Sequence, residues 1–514
     1  MNYATFFTQA TGHPPYGWQG RLACGDAYRP ESTETQDTGT ACTSRLIDIP
    51  TGLGKTAGVV LAWLWNRQVS ANDENAPPWP RRLVYCLPMR TLVEQTASEA
   101  ESWLGNLWRH ANELNLAPKF IKELRWIVGA PANATPSSFN PQPSTFKSPV
   151  ILMGGQDQSP AKRDWDLYPE KPAILIGTQD MLLSRALNRG YGAGRARWPM
   201  HFALLNNDSL WVMDEVQLMA NGLSTTLQLQ AWRESLGTKE RPESIQATAK
   251  PSTVLPTHTW WMSATMAEHW FETAVDWRTL NLNGELAPEK LWKERIEIPK
   301  PDYEKYSIFK VQKSKYLACL TSELKKDSNG EKELNIKEYV HSVVDFIVTE
   351  ENRKSKKFNV DTAEIPELCT LLVVNTVERA VAIYNKIKDQ TPFNQNNILL
   401  LHSRFRGAER RQWHSHIKAF EMGAYPEEER VPIDQQYTVD GPRLIIATQV
   451  IEAGVDLSAP ILYTERCPMA SLIQRLGRCA RRASETGKVY ILPMNVDEAT
   501  AKPYTKEELE AWQP

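Results

Sequence analysis

Two α/β domains in series, each a mostly parallel sheet with helices on both faces, are predicted from three observations. The first is length: 514 residues exceed what one hydrophobic core supports, since such cores stop growing at roughly 250–300 residues. The second is an alternation of short β-prone runs with helix-length segments, the pattern of parallel strands joined by crossover helices. The third is that this alternation occurs twice, with a charged and poorly apolar stretch between the two sets.

The first set of strands is read from "RLIDI", "RLVYCL", "PVILM", "AILIGT", "SLWVMDE" and "HTWWMSAT", and it places one domain over residues 1–280. Residues 281–365 are expected to form a connector and the start of the second domain, with a helical stretch near Ile336 to Thr349. The second set, "CTLLVVN", "NILLLHS", "PRLIIATQ", "APILYTE" and "KVYILP", places the second domain over residues 366–495. The tail, 496–514, reads as the truncated start of an accessory or nuclease region. Pro, Ser, Thr and Asn dominate Ala130 to Ser148 and Thr248 to Thr257, which suits surface loops.

Composition excludes several classes. Hydrophobic content of 41% and charged content of 23% are those of an ordinary globular protein. The longest apolar run, Ala57 to Trp65, falls well short of the ~20 residues of a membrane span, and no secretory signal is visible, so a cytoplasmic protein is expected. Seven cysteines without a CxxC pair give neither a disulfide framework nor zinc-finger spacing. A net charge of -2 supplies no bulk basic field, so any contact with a polyanion must be local. The 18 tryptophans are read as sheet core.

Three motifs carry chemistry. "IPTGLGKT" ends a β-prone run and opens a helix, as phosphate-binding loops do, although Ile49 stands where the general pattern has its first glycine. Gly52 and Gly54 let the backbone approach phosphates, Lys55 reaches their β and γ oxygens, and Thr56 ligates magnesium; residues 51 to 56, with Thr51 and Leu53, form the cradle. Ile49 is expected to finish the strand. "LWVMDEVQLM" ends a strand in Asp214 and Glu215, at the edge where open α/β sheets bind ligands. Asp214 would hold magnesium through water, and Glu215 would orient and deprotonate the attacking water. "SLIQRLGRCARR" spaces Arg475, Arg478, Arg481 and Arg482 three or four residues apart, which aligns guanidinium groups on one helix face. Such groups suit arginine fingers that reach the γ-phosphate when a cleft closes on ATP between the domains.

The order of these motifs resembles that of superfamily 2 helicases, built on two tandem RecA-like domains with ATP in the interdomain cleft. "GHPPYGWQ", ending at Gln19, resembles the adenine-reading glutamine motif, and "PMRTLVEQ" the first strand-gripping motif. Gly154-Gly155 and "GTQDML" resemble the next two nucleic-acid motifs, "SAT" the coupling motif, and "ATQVIEAGVDLS" the motif that touches both nucleic acid and nucleotide. The resemblance adds Gln474 to the catalytic residues and Gly454 and Asp456 to the nucleotide contacts. DEVQ, TQVIEAGVD and QRLGRCAR are most similar to the helicase part of the CRISPR-associated helicase-nuclease of type I systems, subtype I-G. That family implies ATP-driven 3′-to-5′ translocation on single-stranded DNA exposed by a guide-RNA surveillance complex, acting here as a monomer without a membrane. Its histidine-aspartate nuclease is not visible: the chain has no His-Asp dipeptide and nine scattered histidines. A separate or C-terminally fused nuclease is therefore expected.

Candidate strand contacts are Arg90, Thr91, Gly155, Thr178, Asn375, His402, Ser403, Arg404 and Thr448, whose hydroxyls, amides and cations suit phosphate contacts rather than base reading. Two alternatives stand beside this reading: another superfamily 2 motor, such as an RNA helicase or a restriction-type DNA translocase, or an ATP-gated clamp.

Overall fold

The computed structural model describes residues 1–26, 28, 38–50, 52–73, 75–154, 165–238, 255–264, 266–267, 270–271, 288–298, 315–319, 336–355, 369–390, 393, 395–406, 409, 413–422, 442–452, 455, 457–480, 487–492 and 501–510. The chain divides into two compact units, Met1–Pro299 and Lys300–Pro514.

The first unit holds strands β1 (Arg45–Asp48), β2 (Arg82–Leu87), β3 (Val150–Leu152), β4 (Ala173–Thr178), β5 (Ser209–Asp214), β6 (Thr257–Ser263) and β7 (Ile296–Glu297). They form one seven-stranded sheet in the order β3-β4-β2-β5-β6-β1-β7, with every pairing parallel. β2, β4 and β5 are buried along their whole length. Continuous burial is what a parallel sheet covered on both faces requires, and it is why these strands read as unbroken apolar runs. On one face Leu182, Leu223 and Leu227, from helices Gln179–Ala186 and Asn221–Thr238, cluster with Leu175, Trp211 and Met213.

Helices α1 (Tyr3–Thr11) and α2 (Gly17–Cys24) precede the sheet, and α3 (Lys55–Asn72), α4 (Arg90–Arg109) and α5 (Pro118–Val128) follow β1 and β2. The Asn2 side chain caps α1 by accepting from the Thr5 N–H at 2.9 Å, and Gly12 ends it in the left-handed region. α3 is apolar on every side from Val59 to Trp65, so it is enclosed rather than laid on a surface. α2 packs against it where Gly58 lacks a side chain: a Cβ there would lie 2.6 Å from the Trp18 ring. Trp260 and Trp261 are buried in the sheet as expected, facing opposite sides of β6, with indole N–H groups donating to the Thr43 carbonyl and the Thr226 hydroxyl; other buried tryptophans, Trp18, Trp63, Trp65 and Trp108, lie on helices instead.

The second unit holds β8 (Lys315–Cys319), β9 (Cys369–Val373), β10 (Ile398–Leu401), β11 (Arg443–Ala447), β12 (Ile461–Glu465) and β13 (Gly487–Leu492). Their order is β10-β11-β9-β12-β13-β8, again parallel throughout. Alternate residues serve opposite faces: Leu372, Leu444 and Ile446 pack with helix Ile336–Ser355, and Leu371, Ile445 and Val373 with helix Trp413–Met422. Among the described residues no helix is long and apolar enough to cross a membrane.

Residues 281–365, expected as a connector, are shared between the sheets. Ile296 and Glu297 pair with Ile47 and Asp48 at the edge of the first sheet, and Lys315 to Cys319 pair with β13 at the edge of the second. Edge strands this short carry almost no periodic signal among charged neighbours. The expected loop at Thr248 to Thr257 lies mostly outside the described residues.

Candidate functional site

Three helices of the first unit start directly after strands, so Lys55, Arg90 and Gln179 all open a helix at the carboxyl edge of the sheet. This is where an open parallel sheet presents ligand-binding groups. Ile49 resolves the irregular loop: it is fully buried and its N–H donates to the Ser263 carbonyl at 3.1 Å, extending the β1–β6 pairing by one residue. The turn then needs glycine, with Gly52 at φ +85° and Gly54 at φ +66°, a region that L side chains rarely enter. Thr51 lies outside the described residues.

The loop is braced from behind by α2. The Trp18 indole donates to the Leu53 carbonyl at 3.2 Å, and the Gln19 amide donates to the Gly54 carbonyl at 2.8 Å. The Gln19 carbonyl accepts from the Tyr16 N–H at 2.8 Å, and the side chain is 1% exposed. The structure thus corrects the expectation for Gln19: both polar ends are engaged by the protein, which makes it a brace of the loop rather than an outward-facing reader of adenine. A buried amide must be satisfied, and the loop carbonyl satisfies it.

Lys55 and the acidic pair meet. Lys55 Nζ lies 3.4 Å from Glu215 Oε1, and both side chains are largely buried. Glu215 holds φ +53°, an uncommon conformation for a side chain of its size and one concentrated at functional sites. Its second oxygen accepts from Gln217 Nε2 at 2.5 Å, and Gln217 Oε1 accepts from the Ser263 hydroxyl at 2.8 Å, joining the DEVQ and SAT segments. Thr265 lies outside the described residues. Asp214 accepts from the Glu215 N–H through Oδ1 and from the Tyr85 hydroxyl through Oδ2, both at 2.9 Å. Burial first, and the Glu215 charge second, push the Asp214 carboxyl up to about 7, against the opposing pull of Lys55 and the Tyr85 hydroxyl. Sequence reasoning missed Tyr85 and Gln217. Tyr85 sits in an apolar strand where nothing marks its hydroxyl, whereas Gln217 follows the acidic pair closely enough to have been suspected.

Asp214, Glu215 and Thr56 fit magnesium only as a shared ligand. Among the described residues no group of three or more His, Cys, Asp or Glu side chains stands ready to hold a metal ion. Two carboxylates beside a hydroxyl suit an ion that brings phosphate oxygens with it.

The candidate strand contacts in this unit divide. The exposed Arg90 lies with its guanidinium against Gly154, where a Cβ would approach it to 2.8 Å. Thr178 is buried at the start of its helix, and Gly155 lies outside the described residues. The Thr91 side chain is likewise not described.

In the second unit the arginine helix, Met469–Leu476, is locked inward. Arg475 is fully buried: Nε donates to Glu452 Oε1 at 2.8 Å, one terminal nitrogen to the Thr464 hydroxyl at 2.8 Å, and the other to Asn375 Oδ1 at 2.9 Å. Asn375 spends its amide nitrogen on the Arg466 carbonyl. Asn375 and Thr448, expected to touch a nucleic-acid strand, are each 2% exposed, which corrects that expectation: Asn375 serves the arginine network instead. Arg478 also departs from expectation, since Nε and one terminal nitrogen donate at 2.9 Å to the carbonyls of Ile451 and Glu452. Helix-end carbonyls left without intrahelical partners attract such donors. Gln474 is buried, and Gly454, Asp456, Arg481 and Arg482 lie outside the described residues. Ser403 and Arg404 are exposed and His402 partly so; Arg404 pairs with the exposed Glu378.

Comparison with known proteins agrees with this division. The family model described as DEAD/DEAH box helicase matches residues 36–273, and the model described as CRISPR-associated nuclease/helicase Cas3, C-terminal, matches residues 367–484. A candidate CRISPR-associated nuclease/helicase Cas3 of Methanocaldococcus jannaschii is 32% identical over 146 residues, covering 28% of this chain and 18% of its own length. The CRISPR-associated nuclease/helicase Cas3 of Methanothermobacter thermautotrophicus is 29% identical over 185 residues, covering 35% and 20%. These alignments thus span a fifth or less of the curated relatives. The crystal structure of T. fusca Cas3 with AMPPNP superposes with a TM-score of 0.54 at 15% identity, over 99% of this chain and 49% of that one. At that identity the likeness is one of fold. With a helicase model on the first sheet, a Cas3 model on the second and Cas3 proteins among its relatives, the chain is similar in both units to the Cas3-type helicases.

Proposed function

We propose that the chain is the ATP-driven motor of a CRISPR-associated helicase: a single-stranded DNA translocase that unwinds target DNA after recruitment by a guide-RNA surveillance complex. One observation carries the reading. Lys55 at the opening of α3 meets Glu215 beside the buried Asp214, at the carboxyl edge of a parallel sheet. This is the charge arrangement that triphosphate hydrolysis requires.

Lys55 and the N–H groups at the start of α3 receive the β and γ phosphates. Drawing Lys55 onto phosphate takes it from Glu215 and leaves that carboxylate to accept the proton of the attacking water. The water oxygen bonds to the γ-phosphorus as the bond to the β-γ bridging oxygen breaks. Thr56, and Asp214 through water, would hold magnesium, which when bound would supply charge neutralisation at the phosphates. Arg478 serves as a finger only by exchanging its Ile451 and Glu452 carbonyls for phosphate oxygens, and Arg481 is its partner in that role. Arg90, His402, Ser403 and Arg404 remain the strand contacts we favour. The guide complex chooses the sequence, and a nuclease, separate or C-terminally fused, cuts the strand. The motor acts as a monomer in the cytoplasm.

Turnover with single-stranded DNA and with RNA of the same sequence tests the reading. DNA should stimulate more strongly, and Glu215→Gln should lower turnover by about a hundredfold, the contribution of a positioned base. Stimulation by RNA alone would transfer the chain to the RNA motors, and an unchanged rate would remove Glu215 from the mechanism.

A further inference from the structure

We propose that Tyr85 is a positioning residue of this site, whose phenol fixes Asp214, one of the groups that would share magnesium. The inference deepens the ATP-motor reading and rests on it.

The geometry follows from the sheet. β2 lies beside β5 with Tyr85 opposite Val212, and side chains two residues apart share a face, so Tyr85 and Asp214 emerge on the same side. The Tyr85 hydroxyl donates to Asp214 Oδ2 at 2.9 Å. With Oδ1 held by the Glu215 N–H, both carboxylate oxygens are pinned. An aspartate at a strand end otherwise rotates freely about its side-chain bonds, and groups outside a metal's own ligands are what fix ligand orientation. Packing alone does not call for the hydroxyl, since the ring is fully buried in a strand whose neighbours are apolar and Phe would fill the same space.

Tyr85→Phe tests this with Mn²⁺ as the metal probe and a fluorescent ATP analogue as the nucleotide probe. Paramagnetic resonance of free Mn²⁺ reads metal affinity of the protein–nucleotide complex, and fluorescence in EDTA reads metal-free nucleotide binding. Mn²⁺ affinity should fall by about tenfold or more, the usual effect of removing such a partner, while metal-free nucleotide binding stays within about twofold. Unchanged Mn²⁺ affinity would overturn the proposal. So would an equal loss of metal-free binding, which would make Tyr85 a packing residue. If wild type binds no nucleotide, or Lys55→Ala binds as well as wild type, the ATP-site reading itself fails, an outcome separate from either of those.

Discussion

Replacing Asp214 by Asn should stabilise the first unit at alkaline pH while abolishing turnover. Burial and Glu215 raise this carboxyl from 3.8 to about 7, so folding favours its protonated form. A group raised in this way contributes stability that is complete below the unfolded value and lost as pH rises through the folded one. At pH 8.5 the folded protein therefore holds an ionised carboxylate at a cost of up to about 4 kcal/mol, from roughly three pH units at 1.4 kcal/mol each. Asn keeps an acceptor for the Glu215 N–H, and the Tyr85 hydroxyl can turn to accept from its amide, with some loss of fit. A net gain of about 2 kcal/mol is expected, worth roughly 4–8 °C in melting temperature for a unit of this size. Thermal melting of both proteins at pH 5 and pH 8.5, beside ATP turnover, measures it. The variant should melt higher at pH 8.5 and near wild type at pH 5. Equal destabilisation at both values would show that Asp214 is not strained by its burial.

Two further variants test the scaffold behind the site. Gly58→Val places carbon 2.6 Å from Trp18 and 3.0 Å from Gln19 Cγ, forcing α2 off α3; overpacking of this kind costs about 1–3 kcal/mol in a melting experiment, and nucleotide affinity should fall with it because α2 braces the loop. Arg475→Met strands the buried Glu452 and should cost about 3–5 kcal/mol, read as faster amide exchange in β12, while adding Glu452→Leu should recover much of it. A single-variant cost near zero would mean that the guanidinium is solvated.

The sheets were legible because fully buried parallel strands are written as unbroken apolar runs: "RLVYCL" and "SLWVMDE" could hardly be anything else. The loop glycines and the meeting of Lys55 with Glu215 followed from motif spacing, even though 160 residues separate them. The second unit's arginines were harder. Three-residue spacing suggests one helix face, but the helix ends at Leu476, so Arg475 alone lies on it and Arg478 sits in the turn beyond; the burial of Arg475 depends on Glu452, Thr464 and Asn375, which arrive from distant segments. The same applies to Gln19, whose partner is a backbone carbonyl and so leaves no mark in the sequence. Tyr85 was invisible for the opposite reason, being a polar atom inside a run read for its apolarity.

The central claim is that Lys55 works on a triphosphate. Steady-state ATP hydrolysis by wild type and Lys55→Ala, each with and without single-stranded DNA, measures it directly. Turnover that rises with DNA in wild type and sits at background in the variant is the expected result. A variant that hydrolyses ATP at the wild-type rate would contradict the account.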